Sequence, residues 1–153
     1  MMNELTEKKA GMNVLLVEDN GALGNLFKAQ LHRVEGDHTA IVVTTKQEVL
    51  TALTQDTFDL IFIDMALEGL PYRGLEILKE IKQQYPAQRV GILSSNDAGA
   101  IIRDCREYGA EFYMVKPFTY KGLSLILTGS LEEIQHYRSD ISEGQILSFV
   151  ESS

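Results

Sequence analysis

Short apolar runs that end abruptly in charged residues recur along this chain and constrain its fold more than any other feature. Val14-Leu15-Leu16-Val17 runs into Glu18-Asp19, Leu60-Ile61-Phe62-Ile63 into Asp64, and Phe112-Tyr113-Met114-Val115 into Lys116-Pro117. Read as strands of a parallel sheet, these runs share one edge at their carboxyl ends, where open α/β sheets place their ligands. Three carboxylates and one ammonium would then converge there. A group of carboxylates is unstable unless a cation sits among them, and oxygen donors of this kind suit Mg2+. The lysine adds a fixed positive charge for an anion. The combination points to phosphoryl transfer.

Between these runs the sequence alternates regularly. Met12–Val17 reads as a buried strand, and Asn20 caps a helix to about Val34 with Leu23, Leu26, Phe27 and Leu31 on one face. The Gly36-Asp37 turn leads to the β-branched run Thr39–Val43. Thr45-Lys46-Gln47-Glu48 has the capping-box form and opens a helix with Val49, Leu50 and Leu53 on its apolar side. Phe58–Ile63 is almost continuously apolar, as a central parallel strand covered on both faces should be. After a loop from Asp64 to Arg73, a third helix carries Leu75, Ile77, Leu78 and Ile81 and ends near Pro86. Arg89–Leu93 is a fourth strand. Asn96 or Asp97 caps a fourth helix, with Ile101, Ile102, Cys105 and Tyr108 at helical spacing and Gly109 as its stop. Glu111–Val115 is the fifth strand. A long last helix is expected from near Thr119 to about Arg138, with Leu123, Ile126, Leu127, Leu131 and Ile134 inward, Leu125 turned elsewhere, and Gly122 and Gly129 weakening it. Five βα units with short connections imply right-handed crossovers and a doubly wound α/β sheet.

Composition narrows the function classes. The 153 residues fit one domain, and a net charge of −8 disfavours a large contact with nucleic-acid phosphates. The single Cys105 cannot form an internal disulfide, which fits a reducing compartment. Residues 1–11 are polar and charged, so they read as a flexible extension and no secretory signal. No apolar run approaches the roughly 20 residues that span a bilayer, so no membrane is expected and a cytoplasmic location is the default. His32, His38 and His136 show no ligand spacing, and Cys105 reads as packing.

The runs Leu15-Leu16-Val17-Glu18-Asp19-Asn20, Leu60-Ile61-Phe62-Ile63-Asp64, Ile92-Leu93-Ser94-Ser95 and Gly109 through Phe118 together resemble the receiver domain of two-component response regulators, over about Met12 to Arg138. The resemblance implies a flavodoxin-like (βα)5 fold, a five-stranded parallel sheet in the order 2-1-3-4-5. It implies that Asp64 is the phosphoacceptor, that Glu18 and Asp19 hold Mg2+ together with Asp64 and the backbone carbonyl of Ala66, and that Lys116 faces the phosphoryl oxygens. Ser94 matches the switch hydroxyl and Tyr113 the aromatic switch position. Lys116-Pro117 matches a pair whose peptide bond is commonly cis. A histidine kinase or histidine phosphotransfer protein is the implied donor. With no effector domain recognisable, output is expected through an unknown protein target or a homodimer, and the chain is expected to promote its own phosphorylation and dephosphorylation without acting as an enzyme on a separate substrate.

Taken singly, each of these residues has a plainer explanation: Asp64 as a turn residue, Glu18-Asp19-Asn20 as a helix cap, Lys116 as a solvated charge, Tyr113 as sheet packing, Ser94 as a turn hydroxyl. Their joint order at successive strand ends favours the functional reading. The chain departs from the family pattern in a longer loop after Asp64, with Glu68-Gly69 where a proline is common, and in Ser95 where a small alanine is commoner. It also departs in the segment 139–153, whose apolar cluster Ile146-Leu147-Ser148-Phe149-Val150 could pack on the domain, join a second subunit, bind a partner or fray. A flavin carrier would need a neutral phosphate loop after the first strand, and a P-loop NTPase its G-x-x-x-x-G-K-[ST] motif. A haloacid-dehalogenase-type phosphatase would need a second aspartate where Ala66 stands, and a serine hydrolase a G-x-S-x-G elbow. The remaining alternative is a receiver fold that works as an interaction module without phosphorylation.

Overall fold

The computed structural model describes residues 11–95, 98–128, 135–136 (backbone) and 144–150. Its elements are β1 (Asn13–Val17), α1 (Gly21–Arg33), β2 (Thr39–Val43), α2 (Lys46–Gln55), β3 (Leu60–Asp64), α3 (Arg73–Gln84), β4 (Val90–Ser94), α4 (Gly99–Glu107), β5 (Phe112–Val115), α5 (Tyr120–Leu127), β6 (Gln135–His136) and β7 (Ile146–Ser148). The sheet runs β2-β1-β3-β4-β5-β7-β6. Its first five strands are parallel and stand in the expected 2-1-3-4-5 order.

Both faces of the sheet are covered, and strand alternation decides which residue goes where. In β3, Ile61 and Ile63 join a core with Val49 and Leu53 of α2, Ile77, Leu78 and Ile81 of α3, and Ile102 and Cys105 of α4. Leu60 and Phe62 join the opposite core with Phe27 and Leu31 of α1 and Leu123, Ile126 and Leu127 of α5. That second layer is knitted by edge-to-face rings, Phe27 on Phe62 and Phe118, and Phe62 on Phe112, with centroids 5.1, 5.6 and 5.3 Å apart.

Local chemistry starts and stops the helices. Asn20, Thr45 and Thr119 cap α1, α2 and α5 by accepting from the amides of Leu23, Glu48 and Gly122. Gly109, at φ 98°, turns the chain out of α4.

Four expectations are corrected. The last helix does not reach Arg138: it ends at Leu127, where the Thr128 hydroxyl donates to the Ser124 carbonyl, and Gln135–His136 lies in a strand. Leu131 and Ile134 lie outside the described residues. The sheet gains two strands beyond the expected five. β7 runs antiparallel to β5, pairing Ile146, Leu147 and Ser148 with Met114, Tyr113 and Phe112, and β6 runs parallel to β7. The apolar cluster of the tail therefore packs on the sheet, because β5 would otherwise leave an unpaired edge beside two apolar layers. The α4 cap position is Ala98, with no side-chain cap; Asn96 and Asp97 lie outside the described residues. Leu26 and Tyr108, expected on apolar faces, are exposed, and the Lys79 ammonium sits 4.3 Å from the Tyr108 ring centroid. Among the described residues no helix is long and apolar enough to cross a membrane.

Candidate functional site at the carboxyl edge of the sheet

Strand register brings the charged residues level with one another. Val17 pairs with both Val43 and Ile63, so Glu18 emerges beside Asp64, which itself pairs with Leu93. The ladder continues past the strand ends through Glu18 N–H to Val43 O at 2.9 Å, Met65 N–H to Leu93 O at 2.9 Å and Lys116 N–H to Ser94 O at 2.8 Å. The backbone thus ties the ends of all five parallel strands to their neighbours where the side chains meet.

Carboxylate oxygens of Glu18, Asp19 and Asp64 lie within 4.8 Å of one another. Glu18 and Asp64 are buried, Asp19 exposed. The Lys116 ammonium bridges the two buried acids, 3.0 Å from Glu18 Oε1 and 3.0 Å from Asp64 Oδ2. The Lys116-Pro117 peptide bond is cis. Ser94 is buried at the end of β4, and its carbonyl receives the Lys116 amide. Tyr113 is fully buried in the core beneath α4, between Ile92 and Leu147 of the neighbouring strands. Ala66 lies exposed two residues after Asp64, at the start of the loop.

One ammonium cannot balance three carboxylates. Burial, then hydrogen bonding with Glu18, pushes the Asp64 carboxyl up to about 7, against the pull of Lys116. Burial would lower the Lys116 ammonium, but the charge and hydrogen bond of Asp64, with Glu18, outweigh it and raise it. Three clustered carboxylate groups, two of them buried, form an all-oxygen donor set that fits a hard divalent cation such as Mg2+.

The loop after Asp64 carries a feature that the sequence reading missed. Leu67 and Leu70 exchange backbone hydrogen bonds of 3.1 and 2.8 Å around Glu68-Gly69, both with positive φ (54° and 75°). This is a two-residue primed turn, which accommodates the extra length as a small hairpin. The Glu68 amide donates to Asp19 Oδ2 at 3.2 Å. Glu-Gly between two leucines was the available signal, weaker than Asn-Gly or Asp-Gly. Beyond the hairpin, the Gly74 amide donates to the Met65 carbonyl at 2.7 Å, and a side chain at Gly74 would collide with the Asp64 backbone oxygen.

Residues 14–128 match the model of the response regulator receiver domain. The chain is 39% identical over 108 residues to the response regulator protein PmrA of Pseudomonas aeruginosa, covering 70% of this chain and 47% of that protein. It is 32% identical over 117 residues to the transcriptional regulatory protein MalR of Bacillus subtilis, covering 76% of this chain and 49% of that protein. The chain therefore spans about half the length of these two curated relatives. Among solved structures, NtrX from Brucella abortus superposes with a TM-score of 0.70 at 28% identity, covering 80% of this chain and 27% of that one. With a family match over most of its length, the receiver topology and the acids and lysine gathered at the sheet edge, the chain belongs to the response regulator receiver domains of two-component signal transduction.

Proposed function

We propose that Asp64 accepts a phosphoryl group from a phosphohistidine of a histidine kinase or histidine phosphotransfer protein, and that the modified domain signals by contact with another protein. The observation that carries this reading is Lys116 held 3.0 Å from both Asp64 and Glu18. Among the described residues, that cation lies at the strand-end aspartate that is buried and paired. An Asp64 oxygen would form the new bond to phosphorus as the phosphorus–nitrogen bond of the donor, its ring protonated on the other nitrogen, breaks, leaving an acyl phosphate and a neutral imidazole. Lys116 would turn from carboxylate to phosphoryl oxygen and stabilise charge developing there; catalysis of this kind is mostly positioning and electrostatics.

Glu18, Asp19 and Asp64, with the Ala66 carbonyl, are the residues that would hold Mg2+. Bound there, the cation supplies the positive charge that keeps Asp64 ionised and neutralises the transferring group. Ser94 is proposed to bond a phosphoryl oxygen, and Tyr113, already inside the core, to respond to it as the aromatic partner of the switch. Output is proposed through the side built by α4, β5 and α5, where β7 covers the β5 edge, toward a protein target or a second copy.

Beryllofluoride, a phosphoryl analogue, tests the reading directly. Fluorine NMR of the protein with Mg2+ should show a bound signal that Asp64→Asn abolishes. A wild type that shows none, or a signal that persists in the variant, would contradict it.

A further inference from the structure

The hairpin after Asp64 reaches back to the acidic cluster. Among the described residues, Glu68 alone, glycines aside, has a positive φ, 54°. Left-handed backbone is disfavoured for a residue with a long side chain, so neighbouring contacts must hold it. Glu68 Oε2 accepts from Arg73 Nε at 2.9 Å and from the Lys46 amide at 3.2 Å. These bonds tie the tip of the hairpin to the first residues of α3 and α2. Arg73 itself is steadied by Glu76, 2.8 Å from its Nη1. With its side chain fixed there, the Glu68 amide points at Asp19 Oδ2, 3.2 Å away.

Asp19 is the exposed acid of the cluster and therefore the one most in need of a fixed orientation. A backbone N–H on one of its oxygens restricts its rotation. We propose that Glu68 is a positioning residue of the acidic pocket: through its left-handed amide it sets Asp19 for a divalent cation, and its carboxylate serves as the anchor. The inference rests on reading the cluster as a Mg2+ site. Glu68 is not itself a ligand in this account, because its carboxylate is engaged by α2 and α3.

The test is calorimetric titration of Mg2+ into wild type, Glu68→Ala, Glu68→Gln and Asp19→Asn, with denaturant unfolding of each to confirm the fold. Glu68→Ala removes the anchor and should raise the Kd for Mg2+ about tenfold, the scale of one hydrogen bond to a charged group. Glu68→Gln keeps an oxygen acceptor for Arg73 and Lys46 and should stay within about threefold of wild type. Adding Glu68→Ala to Asp19→Asn should produce no further loss. Equal weakening by the alanine and glutamine variants would mean that charge acts and positioning does not. Unchanged affinity in Glu68→Ala, with Asp19→Asn still weakened, would overturn the anchor and leave the metal site standing. A wild type that binds no Mg2+ would remove the metal reading and this proposal together.

Discussion

The Gly144 amide donates to the Val115 carbonyl at 2.9 Å, and the Val115 amide donates to the Gln145 carbonyl at 3.1 Å. These two bonds, from Val115 to successive residues of the tail, fasten it to the residue immediately before Lys116, so β7 extends the ladder that positions the site. Leu147 beside Tyr113 is fully buried. Leu147→Ala should therefore destabilise the domain by about 2–5 kcal/mol, as large-to-small changes in packed cores do. Urea unfolding would measure the loss, and hydrogen exchange should show faster exchange at the Val115 amide. A change of only a few tenths of a kcal/mol would mean that the strand contributes no packing.

Metal-free stability should depend on pH through Asp64. Its carboxyl is raised from 3.8 to about 7, so the folded state holds a proton that the unfolded chain releases. Stability is lost as pH rises from about 4 to about 7 and is constant in this contribution above that. Asp64→Asn removes the ionisation. In chelator the variant should gain on wild type across that window, by on the order of a few kcal/mol at pH 8. Added Mg2+ should narrow the difference, because only wild type regains a charge balance. Parallel unfolding curves for the two proteins at pH 5 and pH 8 would contradict the assignment.

Gly74 makes a purely steric prediction about the same region. A Cβ there would strike the Asp64 backbone oxygen and lie 2.7 Å from Met65 Cα, both rigid backbone. Gly74→Ala should cost about 1–3 kcal/mol and displace the end of β3, lowering the phosphorylation rate as well as the melting temperature. Normal stability with normal phosphorylation would show that the loop relaxes freely.

Cys105 separates packing from chemistry. It is fully buried, and burial, with the Asp104 charge, pushes its thiol up to about 12. Ellman's reagent should leave it untouched in the native protein at pH 8 and titrate it completely in denaturant. Rapid native labelling would place α4 in a more open state than the structure shows.

Most of the site was legible because it is written at strand ends, where period and polarity change together. Glu18, Asp19, Asp64 and Lys116 each follow an apolar run, and parallel strands leave their ends no choice of edge. Caps at Asn20 and Thr45 were equally plain, since each is a side-chain oxygen placed before a helix. The tail was not. Leu131 and Ile134 continue a helical spacing after Leu127, and the three residues of β7 are too few for a period to be read. Their place depends on an open edge of β5, which is a tertiary fact. Glu68 was hidden for a similar reason. A left-handed glutamate is explained by Arg73, Lys46 and Asp19, which come together only in the folded chain.

The central claim, that Asp64 receives phosphorus, is tested most directly by intact mass. The protein is incubated with Mg2+ and a small phosphodonor such as acetyl phosphate, beside Asp64→Asn and a sample in chelator. Wild type with Mg2+ should gain the mass of a single phosphoryl group, and the other two samples should not. A wild type that gains no mass, or an Asp64→Asn variant that gains the same mass, would contradict it.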